Sequence, residues 1–302
     1  MNPSTSSFRQ LDSDKETNAC SIDLVRSACR GENDKSDKPE KDGLTRGMLV
    51  VNADDFGRDH LTTEKILDCC TAGTVSSVSA MVFMEDSERA AGLGRERKIE
   101  VGLHLNFTTP FSASGCCSRL LDHQNRLSRY LLRHRFAPLI FHPGLVRSFD
   151  YVFEAQMEEF HKLYGTAPAK IDGHHHMHLC ANVRWQRQIP SGILVRRNFS
   201  FERGEKSLSN RLYRKRVDRS LARRYQLVDF FFSLPPLVPA GRLRRIYSLA
   251  KQFVVELETH PVNSEEYQYL TGSEILSQTR EIRIAPPSAV PHRKRVASGD
   301  YQ

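Results

Sequence analysis

Residues Met48 to Gly57 read "MLVVNADDFG". An apolar, β-branched run ends in two carboxylates, an aromatic residue and a glycine. This is the pattern of a short strand that carries polar groups at its C-terminal end. Outward from it the chain alternates. "LTTEKILDCCTAG" (61–73) reads as a helix closed by Gly73, "VSSVSAMVF" (75–83) as a strand, "DSERAAGLGRE" (86–96) as a helix and "IEVGLHLNF" (99–107) as a strand. The helix "SFDYVFEAQMEEFHKLYG" (148–165) follows, then the strands "AKIDGHH" (169–175), "GILVRRN" (192–198) and "QFVVELETH" (252–260). Strands alternating with helices predict βα units around a parallel sheet, an α/β fold.

In such folds chemistry gathers at the C-terminal strand ends. Here five predicted strands each finish in ionisable groups: Asp54 and Asp55; His104; Asp172 with His174, His175, His176 and His178; Arg196 and Arg197; and Glu256, Glu258 and His260. A carboxylate and two histidines from different strands make a facial set for one divalent ion. Neutral imidazole and carboxylate suit Zn, Mn, Fe or Co, with Mg less favoured by histidine. Such an ion acidifies water and polarises a carbonyl, the outline of a hydrolysis. Neighbouring side chains on an extended strand point opposite ways, so one of Asp54 and Asp55 can bind the ion while the other acts as base. By the same parity His176 rivals His174 as ligand and His175 points away. His178 is a substrate-binding or supporting hydrogen-bond donor. Asp172 orients a ligand, or is itself the ligand if Asp55 is not. His260 can protonate a leaving group, with Glu256 or Glu258 orienting it.

Composition sets the surroundings. At 302 residues the chain can hold one large domain or two small ones, and no run is apolar enough to span a bilayer. Residues 1–46 are polar and lack the apolar core of a secretory signal, so they are expected to be a disordered extension. Residues 47–284 form the expected domain and residues 285–302 a proline-rich basic tail. Seven cysteines, two of the pairs vicinal and none in a CxxC, predict reduced thiols in the cytoplasm. The net charge of +8 is local: residues 196–224 hold eleven Lys or Arg against three acids. That stretch suits an anionic partner (nucleic acid, membrane surface or substrate), although such a stripe is more commonly the solvated face of a helix. A homo-oligomer is compatible with the sequence.

"VNADDFG", "GLHLNFT", "DGHHHMHL" and "ELETHP", in this order over about residues 48–280, resemble the YdjC-like carbohydrate deacetylase family, which includes the chitooligosaccharide deacetylases. The resemblance implies an irregular (β/α) barrel similar to the polysaccharide deacetylase fold. It also implies removal of acetyl groups from N-acetylated sugars with one divalent ion, Mg or Zn, with Mn or Co as alternatives. By resemblance Asp54 matches the catalytic base, Asp55, His104 and His174 the metal ligands, His260 a late histidine that serves as acid, and Arg196 an arginine after a strand. The N-terminal extension, Gly173 in place of a common serine, and the basic stretch depart from the family pattern. Two other readings stand beside this one. In the first, a basic nucleic-acid- or membrane-associated protein uses residues 196–224. In the second, the same metal site hydrolyses another amide or ester.

Overall fold

The computed structural model describes residues 47–186, 189–201 and 204–291. The expectations for residues 1–46 and 292–302 lie outside the described residues. β1 (Met48–Phe56), α1 (His60–Thr71), β2 (Ser77–Ala80), α2 (Ser87–Glu96) and β3 (Val101–Leu105) come first. α3 (Ser118–Leu132) and α4 (Val146–Tyr164) precede β4 (Lys170–Gly173), and α5 (Ala181–Gln186) precedes β5 (Leu194–Val195). Then follow α6 (Leu208–Ala222), β6 (Phe230–Ser233), α7 (Ala240–Ala250), β7 (Val254–Thr259), α8 (Ser264–Thr271) and α9 (Ser273–Thr279).

Every strand pair is parallel, and the strand order is β5-β4-β3-β2-β1-β7-β6. The two edges are drawn together beyond the strands. Val195 N–H donates to Gln226 O (2.9 Å), Gln226 N–H to Ile193 O (2.9 Å) and Ser200 N–H to Phe231 O (2.8 Å). The sheet therefore curls into the expected irregular (β/α) barrel, which leaves fewer unpaired edge groups than an open sheet.

Strand alternation sorts the side chains into two environments. On β1, Leu49, Val51 and Ala53 join the large core shared with the helices, as do Val78 and Ala80 on β2, Leu103 and Leu105 on β3, and Val255 and Leu257 on β7. The other parity faces the barrel interior. Its floor is apolar: Met48, Val50, Leu194, Phe231 and Val254 cluster there, joined by Ala285 and Val290. Ala285 is also tied to β1, its N–H donating to Leu49 O at 3.0 Å. The first residues assigned to a tail by composition thus pack on the domain.

Above the floor the same parity turns polar, with Asn52 and Asp54 on β1, Ser77 and Ser79 on β2, Lys170 and Asp172 on β4, and Glu256 and Glu258 on β7, all buried. Gly102 on β3 makes this layer fit, because a Cβ there would meet Lys170 Cγ at 2.6 Å. α1 starts on Asp59, whose carboxylate accepts from Thr62 N–H at 2.8 Å. Asp54 and Asp55 are therefore not spent on capping that helix. Among the described residues no helix is long and apolar enough to cross a membrane.

The sequence reading passes over α3, α5, β6, α7, α8 and α9, and two of these show why. β6 is "FFFS", and three consecutive phenylalanines show no period. α3 is amphipathic, but its cap residue Cys117 makes no side-chain cap bond, so no start signal marks it. The strand expected through His175 ends at Gly173.

Candidate active site

Asp54 and Asp55 do not alternate across the pleat as expected. Asp55 has φ of 69°, the left-handed region, and the β1–β2 register slips between Ala53 and Phe56. Gly57 follows at φ of 84°, with 3.2 Å between a built Cβ and Met81 O. This turn directs both carboxylates to the barrel mouth, at a conformational cost that aspartate tolerates better than most residues.

Asp55 Oδ1 is the meeting point of two imidazoles: His174 Nδ1 lies 2.8 Å away and His104 Nε2 3.3 Å. Its other oxygen, Oδ2, accepts from Arg58 Nη1 at 3.1 Å. Donor atoms sharing one ion at about 2.1 Å should stand roughly 3.0–3.4 Å apart. Both contacts are close to that spacing, and the three donor atoms lie within 4.8 Å of one another. The donor set therefore fits a divalent ion. On its far side, His104 Nδ1 is 2.7 Å from Asp172 Oδ1, so a carboxylate fixes the ring and aims Nε2 at Asp55. Burial alone would lower the His104 pKa, but the Asp54 and Asp172 charges raise it to about 10. Burial likewise pushes Asp55 up, and hydrogen bonds from the two histidines overcome it and hold it well below the usual range.

Arg196, fully buried, ties the site together. Nη2 and Nη1 grip Asp54 at 2.7 and 2.6 Å, a two-pronged pair. Nη2 also reaches Asp172 (2.9 Å), Nε reaches Glu256 (2.8 Å), and Nη1 reaches Glu258 (3.2 Å). Beneath it Lys170 Nζ contacts Glu256 (2.6 Å) and Asp172 (2.8 Å). A hydroxyl–amide chain completes the set: Ser77 donates to Asn52, Asn52 to Asp54 and Ser79, and Ser79 to Asp172. Burial pushes Asp54 up, yet Arg196 and His104 hold it well below the usual carboxylate range. For Glu258 burial wins, reinforced by Asp54, and its pKa lies well above the ordinary value.

β7 runs beside β1, with Ala53 opposite Thr259. His260, one residue on, is distant from Asp54 in sequence but adjacent in space: donor atoms of Asp54, Glu258 and His260 fall within 4.8 Å. The glutamate that holds the His260 backbone comes from α8 and not from β7. The His260 N–H donates to Glu266 Oε2 at 2.8 Å, and Asn263 donates to the same carboxylate.

The histidine run obeys no strand parity, because His175 and His176 have φ of 53° and 56° inside a 3-10 stretch, His174–Leu179. His175 stays near His174, the rings 4.1 Å apart, and meets Thr108 Oγ1 at 3.1 Å. His176 leaves the trio: its ring packs on Phe199 at 4.7 Å, with Nε2 3.7 Å from Glu258. His178 is buried, its Nε2 donating to Arg196 O at 3.0 Å, so it supports the arginine. Burial pushes its pKa down to about 4. Cys180 packs in the core, its thiol raised by burial to about 12.

The basic stretch 196–224 is not one surface. Arg196 lies inside the barrel and Arg197 pairs with Asp218 at 3.0 Å, while most of the remaining cations ride on or flank α6. Lys170, Asn52 and Ser79 were missed from sequence, although Asn52 shares the parity of Asp54 and Lys170 that of Asp172. Glu266 offered no such signal.

A parallel (β/α) barrel that gathers an Asp–His–His cluster and a clamped second aspartate at its strand ends defines an α/β barrel protein with a candidate metal site at the barrel mouth. A profile of the family described as YdjC-like protein matches residues 48–281, and the chain belongs to that family. A carbohydrate deacetylase of Mus musculus is 37% identical over 142 residues, 46% of this chain and 45% of the relative. A chitooligosaccharide deacetylase of Enterobacter sp. (strain 638) is 32% identical over 133 residues, 44% of this chain and 50% of the relative. The chain spans about half the length of the relatives it matches. A crystal structure from Enterococcus faecalis V583, provisionally named a cellobiose-phosphate cleavage protein, superposes with a TM-score of 0.57 at 17% identity. It covers 80% of this chain and 98% of that one. That likeness concerns the fold.

Proposed function

We propose that this chain is a metal-dependent carbohydrate deacetylase, a hydrolase of non-peptide C–N bonds that removes acetyl groups from N-acetylated sugars or glycans. The observation that carries the reading is the convergence of Asp55, His104 and His174 beside the Arg196-clamped Asp54. The names of the relatives point the same way. Asp55, His104 and His174 would hold one divalent ion, Mg or Zn, with Mn or Co as alternatives. The five described cysteines are free, which supports the cytoplasmic setting proposed for it.

When bound, the ion would polarise the acetyl carbonyl and acidify water, which matters because a carboxylate held as low as Asp54 is a weak base. Arg196 keeps Asp54 ionised and aimed, so that it accepts the proton of the attacking water. Asp172 fixes the His104 ring. As the C–N bond breaks, His260 donates a proton to the departing amine nitrogen.

Elemental analysis after native purification tests the ligand set. One divalent ion per chain is expected in the wild type and in Asp54→Asn, and loss of the ion in His104→Ala and His174→Ala. Undiminished stoichiometry in both histidine variants would contradict it.

A further inference from the structure

We propose that the surface formed by the α3–α4 connection, α5 and α6 docks on an anionic phospholipid bilayer. Large apolar side chains stand out of the protein there: Phe136, Ile140 and Phe141 (52, 50 and 41% exposed), Trp185 (72%), and Leu208 and Leu212 (69 and 53%). They form one neighbourhood. The Phe141 and Trp185 rings are 6.2 Å apart, and Arg184 Nη2 donates to Tyr213 OH at 3.4 Å, tying α5 to α6. Protruding apolar groups at this density mark an interaction surface more than ordinary solvent exposure.

The charge says what it meets. Residues 132–147, 181–186 and 206–223 contain a single acid, Asp218. That acid is buried and engaged by Arg197 and Asn198, so these segments offer no carboxylate to solvent. Around the apolar residues stand Arg133, Arg135 and Arg147, all exposed. Leu212, Lys215, Arg216 and Arg219 of α6 share one face with Arg223, which caps the helix. Cations alone would suit any polyphosphate. A nucleic acid engages such cations through its phosphates and leaves protruding leucine and isoleucine in water. A bilayer with anionic lipids takes both, the side chains of Ile140, Phe141 and Trp185 entering the headgroup–acyl boundary while the arginines pair with phosphates. This inference does not depend on the proposed deacetylation.

Trp185 is the chain's single tryptophan, so its fluorescence reports directly on this surface. The full chain is mixed with vesicles of phosphatidylcholine alone or of phosphatidylcholine with phosphatidylserine. Co-sedimentation and a blue shift of Trp185 emission are expected with the anionic vesicles only, both weakened by added salt. The double variant Arg216→Glu/Arg219→Glu should lower the partition coefficient on the order of tenfold or more. Ile140→Ser/Phe141→Ser should lose the blue shift, and both variants should melt like the wild type, since these side chains lie outside the core. Absence of binding to anionic vesicles, equal binding to neutral ones, or binding undiminished in both variants would overturn the proposal. So would retention of duplex DNA or RNA by a protein that ignores vesicles, which would assign the face to nucleic acid.

Discussion

Lys170→Met keeps the length and apolar stem of the side chain and deletes its charge. In the native barrel Nζ is 2.6 Å from Glu256 Oε1 and 2.8 Å from Asp172 Oδ2. None of the three side chains is more than 2% exposed. Removing one member of a buried ion cluster strands its partners, at a cost of about 3–5 kcal/mol. Arg196 also reaches both carboxylates, which places the expected loss near the lower end, about 3 kcal/mol. For a domain of this size each kcal/mol moves the midpoint by about 2–4 °C, so Tm should fall by roughly 6–12 °C. Thermal unfolding of the full chain, followed by circular dichroism, reads this directly. Adding Glu256→Met should restore part of the loss, because the carboxylate stranded by the first change is then gone. A single variant that melts within about 2 °C of wild type would refute the claim that Lys170 neutralises the barrel interior.

Three further outcomes are expected. Gly102→Ala places a Cβ at 2.6 Å from Lys170 Cγ and should lower stability by about 1–3 kcal/mol, read from the urea midpoint. Asp172→Asn leaves the ligands in place but loosens His104, and metal affinity measured by calorimetry should fall roughly 10–100-fold. His260→Ala should lose less activity on aryl acetates, whose leaving group needs no proton, than on acetamides; equal losses on both would remove His260 from the acid role.

The βα alternation and the strand ends were legible because they rest on composition and period. "MLVVNADDFG" announced both a strand and its polar terminus, and Asp55, His104 and His174 do converge. What alternation could not carry was backbone geometry at three residues. Asp55, His175 and His176 all take positive φ, and these local departures turn the pleat rule against Asp55, His175 and His176 themselves. The barrel interior was hidden for another reason. Lys170 looks like an ordinary surface charge, and nothing in the spacing pairs it with Glu256, until curling of the sheet brings β4 and β7 face to face, a relation fixed by topology. Likewise the adjacency of His260 and Asp54 follows from β7 pairing with β1, the last strand with the first.

The central claim is that the Asp55–His104–His174 cluster and Asp54 together hydrolyse an N-acetyl bond on a sugar. Its most direct measurement is acetate release from a panel of N-acetylated oligosaccharides by chelator-treated protein, before and after adding Mg, Zn, Mn or Co. Release should appear only with an added ion, vanish in His104→Ala, and fall by about 10²–10⁴ in Asp54→Asn, which still binds the ion. Acetate release that persists after chelation, or near-normal turnover by Asp54→Asn, would contradict the account.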